Sequence, residues 1–142
     1  MDRRGIVLCI LLVFSFSTPG CFSEPESFYY SVEDPEKNTN SVETSDVLFN
    51  LILDDDGGVD MDISDLVVTI ERSGSHICST SPSEGNCTLI QSGDDDSTWE
   101  IGETLNVTEN GINICSQHCI IAFSVEGPEG AKIVGPTILN ST

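Results

Sequence analysis

The chain has 142 residues, with 24 Asp and Glu against five Lys and Arg, and a formal net charge of −19. One domain is the expectation at that length. A surface so acidic repels phosphate backbones and anionic headgroups, which excludes DNA and RNA as partners and suits a medium whose salt screens self-repulsion within about 8 Å or less.

Met1-Asp2-Arg3-Arg4 opens the chain, an apolar run follows from Ile6 to Phe16, and then come Ser17-Thr18-Pro19-Gly20-Cys21. That order reads as a secretory signal peptide over residues 1–20. The run is shorter than the roughly 20 apolar residues a membrane span needs. A small residue, Gly20, immediately before Cys21 resembles the lipobox of prokaryotic lipoproteins. The resemblance implies a diacylglycerol on Cys21 and a place on the extracellular face of the cell membrane. Two acyl chains on one residue are needed there, because a single chain holds only marginally.

Residues 21–45 are expected to be a lipid-anchored acidic linker, because Ser-Glu-Pro-Glu-Ser and Glu-Asp-Pro-Glu-Lys-Asn-Thr-Asn-Ser offer few aliphatic side chains to a core. Phe28-Tyr29-Tyr30 interrupts it, either as an aromatic contact at headgroup level or as a short strand.

The folded domain is expected over residues 46–142. Val47–Leu53 reads as a buried strand ended by Asp54-Asp55-Asp56-Gly57-Gly58, and Leu66–Glu71 as a second strand. Cys87–Ile90 is a short third. Glu103–Thr108 alternates polar and apolar, a half-buried fourth, and Asn110-Gly111 is a turn signal. Ile112–Cys115 continues the alternation as a fifth, Cys119–Val125 makes a sixth, and Lys132–Gly135 with Ile138 suggests a seventh. No stretch keeps a helical period. About seven short strands separated by turns point to an all-β fold, an antiparallel β-sandwich of immunoglobulin-like type.

Six cysteines are present. Cys9 belongs to the signal segment and Cys21 to the anchor. Cys78, Cys87, Cys115 and Cys119 remain, an even number in an exported domain, which implies disulfides. Four cysteines allow three pairings; pairing of neighbours, Cys78–Cys87 and Cys115–Cys119, is preferred here. Each bridge closes a short loop and contributes roughly 2–3 kcal/mol by loop entropy.

The stretch Asp54-Asp55-Asp56-Gly57-Gly58-Val59-Asp60-Met61-Asp62-Ile63-Ser64-Asp65-Leu66 resembles the Gly-Gly-Asp to Asp-Leu segment of archaeal pilin- and archaellin-like β-domains. Ser92-Gly93-Asp94 through Glu103-Thr104-Leu105 resembles a later Gly-Asp/Glu-Thr-Leu segment of the same domains. The resemblance spans roughly residues 46–138 and implies an archaeal cell-surface domain. It also carries an alternative, a minor filament subunit, with Arg3-Arg4-Gly5 as the prepilin cleavage site.

Three chemistries can be set against these residues. Asp54, Asp55, Asp56, Asp60 and Asp62, and Asp94, Asp95 and Asp96, have the oxygen ligands that Ca²⁺ takes six to eight at a time, although the glycines do not fall in EF-hand register; the plainer reading is solvated turn residues. His76 and His118 lie near cysteines without zinc-finger spacing. No nucleophile elbow appears, and paired carboxylates occur only in loops with nothing to place one in an apolar pocket, so the chain is expected to be no enzyme and to need no cofactor beyond that Ca²⁺ alternative. Asn86, Asn106 and Asn140 open glycosylation sequons. Trp99, the single tryptophan, is expected to pack in the core. Taken together, the residues describe an exported, membrane-anchored glycoprotein that displays a structural or protein-interaction domain to an unidentified surface partner.

Overall fold

The computed structural model describes residues 28–35, 39–59, 61–93 and 97–141. The signal segment, Cys21, Asp60 and Asp94–Asp96 lie outside the described residues. Eight strands follow one another: β1 (Tyr29–Glu33), β2 (Val47–Asp55), β3 (Val67–Glu71), β4 (Ser75–Ser79), β5 (Cys87–Ser92), β6 (Thr104–Glu109), β7 (Cys119–Glu126) and β8 (Ile138–Ser141). Two single 3₁₀ turns, Ile63–Asp65 and Pro128–Gly130, complete the regular structure. The fold is all-β among the described residues.

All eight strands join one sheet in the order β1-β2-β6-β5-β4-β3-β7-β8, which curls until it nearly closes into a barrel. Its ends approach through a bridge between Tyr29 and Val134 and through the Ser141 hydroxyl, which donates to the Leu48 carbonyl at 3.2 Å. The sheet is mixed, where an antiparallel one was expected: β4 and β5 run parallel, joined by only two residue pairs, Cys78 with Cys87 and Ser79 with Thr88. The disulfide Cys78–Cys87 spans that same step.

Side-chain alternation explains which face turns inward. β7 sends Cys119, Ile121, Phe123 and Val125 to the core and leaves Ile120 and Ser124 outside. β2 sends in Phe49, Leu51 and Leu53, and an irregularity between Val47 and Phe49 turns Leu48 inward as well. Across the interior the rings of Phe49 and Phe123 stack with centroids 4.4 Å apart.

Four sequence expectations need correction. Residues 29–33, read as linker, are β1 and pair with β2; Phe28 and Tyr30 are buried, and the Tyr30 hydroxyl donates to the Pro136 carbonyl at 2.7 Å. The domain therefore begins before Asp46. Further along that segment Thr39 and Asp46 are buried too. Second, Ile112–Cys115 is no strand: the Glu109 carboxylate takes the amides of Ile114 and Cys115, and Arg72 takes the carbonyl of Ile114, so these groups are spent locally. Third, Lys132 and Val134 make only isolated bridges, and the last strand falls later, at Ile138–Ser141. Fourth, β4 was not foreseen, because Ser-His-Ile-Cys-Ser carries little apolar signal; it forms because Arg72-Ser73-Gly74 turns the chain back on β3, with φ of 51° at Ser73 and 142° at Gly74.

Candidate functional site

Two regions bring chemistry-bearing side chains together. The first is an acidic end. The loop after β2 and the loop before β6 meet there: Ile63 N donates to Ser97 O at 2.8 Å, Trp99 N to Met61 O at 2.7 Å, and Gly102 N to Leu53 O at 2.8 Å. Trp99 is the keystone, 1% exposed, with its indole N–H donating to Glu103 O at 2.9 Å. The core role expected of it holds.

Of the aspartates proposed for calcium, the described ones, Asp54, Asp55, Asp56 and Asp62, each serve a separate hydrogen bond. Asp54 accepts from the Ser31 hydroxyl at 3.1 Å, on the β1 side. Asp55 and Asp56 each cap a turn, accepting from Gly57 N at 2.9 Å and Gly58 N at 2.7 Å. Asp62 caps the 3₁₀ turn through Ser64 N at 2.8 Å, and the hydrogen bonds from Ser64 hold its carboxyl below the usual carboxylate range. Short Asp side chains do this because their oxygens reach the amide two residues on. Among the described residues, no three His, Cys, Asp or Glu side chains group so as to hold a metal ion.

The second region is a loop, residues 110–118, folded over a buried carboxyl. Glu109, at the end of β6, is 2% exposed. Its Oε1 accepts from Ile114 N at 2.7 Å and from Cys115 N at 2.9 Å, while Oε2 is buried and meets no hydrogen-bond partner among the described residues. Burial pushes its pKa up, Asp46 adding to the effect, and the amide bonds oppose the rise without cancelling it. Asp46 is itself buried; Oδ2 accepts from Asn40 N at 2.7 Å, and its backbone carbonyl accepts from Glu109 N at 2.9 Å.

The same loop is pinned from three further sides. Arg72, in the β3–β4 turn, donates to the carbonyls of Ile114 at 3.0 Å and Ile120 at 3.1 Å. Asn113 donates to the carbonyls of Asn40 and Glu43 at 2.7 and 2.8 Å. The disulfide Cys115–Cys119 closes the loop, as pairing of neighbours required. Cys115 is fully buried; Cys119 is 6% exposed and lines a shallow surface cavity of about 200 Å³ with His118, Ile120, Asn140 and Ser141. Sequence reasoning found the two cysteines and His118. It missed Glu109, Asp46, Thr39 and Arg72, which no motif marks and which only folding brings together.

The three sequons stand in different settings. Asn86 is exposed beside His76, and Cys87 after it is locked in a disulfide. Asn106 lies mid-strand on β6, half-buried between Asn50 and Ile90, and Asn140 is exposed on β8. Compared with known proteins, the chain matches no family model, no curated protein and no solved structure.

Proposed function

We propose that this chain is an exported, lipid-anchored surface protein whose immunoglobulin-like sandwich acts as a structural or protein-interaction module rather than as an enzyme. One observation carries the reading: all four cysteines of the domain are paired in two local disulfides. Such bonds persist in oxidising compartments outside the cytoplasm, where the signal-like segment and Cys21 would deliver the chain.

Sheet order supports the sandwich. Divided at the two-pair joint of β4 and β5, the strands fall into layers β1-β2-β6-β5 and β4-β3-β7-β8. With β1 as A and β8 as G, that order would correspond to the A-B-E-D and C′-C-F-G layers of an immunoglobulin-like domain. Phe49 and Phe123 then stack between the B and F strands, where antibody domains carry their inter-sheet disulfide.

The anchor would be short. Six residues, Phe22–Ser27, separate Cys21 from Phe28. A chain reaches at most about 3.3–3.6 Å per residue, so the domain would sit within roughly 25 Å of the bilayer. Mass spectrometry of the mature protein from membranes tests the proposal: its first residue is expected to be a diacylated Cys21. Cleavage after Gly5, which would fit a filament subunit, or an unmodified Cys21, overturns it.

A further inference from the structure

The two disulfides differ in their surroundings. Cys78 and Cys87 are fully buried inside the sheet, each held by strand pairing on both sides. Cys115 and Cys119 close a loop, and Cys119 opens on the cavity beside His118. Around Cys115 the polar groups suit a thiol. The Gln117 carbonyl oxygen lies 2.7 Å from Cys115 Sγ. A disulfide sulfur carries no hydrogen, so that contact becomes a hydrogen bond only after reduction. The Thr39 hydroxyl, 95% buried, stands 3.5 Å from the same sulfur and 3.4 Å from the same carbonyl, positioned to donate to a thiolate. Glu109 accepts from Cys115 N, and its second oxygen has no partner among the described residues.

We infer that Cys115–Cys119 is an exchangeable disulfide, attacked at Cys119 by a low-molecular-weight thiol, with Cys115 as the buried leaving sulfur. The thiolate of the incoming thiol attacks Cys119 Sγ. The Sγ–Sγ bond breaks, a mixed disulfide forms on Cys119, and the electron pair leaves on Cys115 Sγ. Thr39 stabilises that thiolate by a hydrogen bond, and the thiolate takes up a proton from solvent. The resulting thiol donates to Gln117 O. A second thiol then attacks the mixed disulfide, so two thiols are oxidised to one small disulfide and the bridge is reduced to two thiols. The cavity, at about 200 Å³, is smaller than usual ligand sites, which is why a small thiol is chosen over a folded partner.

Both sulfurs are exposed differently enough for a direct test on the full chain. The protein is equilibrated at graded ratios of reduced to oxidised dithiothreitol, thiols are trapped with iodoacetamide, and labelled peptides are read by mass spectrometry. Cys115 and Cys119 are expected to open at a ratio at least about tenfold lower than Cys78 and Cys87, about 30 mV for a two-electron couple, with the β-sheet circular dichroism intact. Opening of both bridges together, or only as the sheet signal is lost, overturns the inference. With glutathione, the mixed disulfide is expected on Cys119; finding it on Cys115, or finding none, also overturns it.

Discussion

Glu109 shows how one side chain can decide a local fold. An alternating stretch, Ile112-Asn113-Ile114-Cys115, has the pattern of a strand, yet a carboxylate buried beside it supplies acceptors nearer than any strand could. The carboxyl has a raised folded pKa, with burial the largest cause. The protonated form is therefore favoured by folding, and its contribution to stability is full below the ordinary value of 4.5 and is lost as pH rises through the folded value. Urea midpoints taken from pH 4 upward should show that loss in the native chain. Glu109→Gln, which cannot titrate, should flatten it. Parallel pH curves for the two proteins would refute this account. At Gly135, a Cβ would fall 2.6 Å from the Tyr30 ring and from its carbonyl oxygen. Backbone atoms there cannot yield easily, so Gly135→Ala should lose about 1–3 kcal/mol by overpacking, read as a drop in thermal midpoint.

Among the elements, β1 is the one that composition concealed. Its flanks are acidic and proline-containing, and its own outward residues, Tyr29 and Glu33, are exposed. Yet Phe28 and Tyr30 fill the core, and the Tyr30 phenol, its pKa pushed up to about 12 by burial, stays a hydrogen-bond donor. Phe28→Ala should cost about 3–5 kcal/mol, the usual range for a buried ring. A change under about 1 kcal/mol would return residues 28–33 to the linker. The joint of β4 and β5 is a second weak element, with two residue pairs and one disulfide. Replacing Cys78 and Cys87 together by Ser should cost roughly 2–3 kcal/mol by loop entropy. Amide hydrogen exchange should rise first at Cys78–Ser79 and Cys87–Thr88, the residues whose pairing joins the two halves of the sheet there.

On the scale of the whole molecule, charge is unevenly placed. The acidic end carries Asp54 and Asp55 at the end of β2, Asp56 and Asp62 in the loop that follows, and Glu100 and Glu103 in the loop before β6. From Asn110 to Thr142 the chain has two acids, Glu126 and Glu129, and one base, Lys132. Like charges crowded at one end oppose folding through self-repulsion. Raising NaCl from about 0.1 to 1 M shortens the screening length from about 10 to 3 Å, so the thermal midpoint should climb across that range. A flat response would mean the acids are spaced without net repulsion.

Sequence by itself determined the all-β class, the pairing of neighbouring cysteines, most strands with strong apolar content and the burial of Trp99. Each of these follows from local pattern: side-chain alternation, short loops between cysteines, and a large ring in a small domain. Tertiary structure alone decided that β1 joins the sheet, that β4 and β5 run parallel, and that Ile112–Cys115 gives up its strand to Glu109. Those outcomes depend on partners far off in sequence, as Tyr30 meets Pro136 and Thr39 meets Cys115, and no local period encodes which distant group will satisfy a buried polar atom.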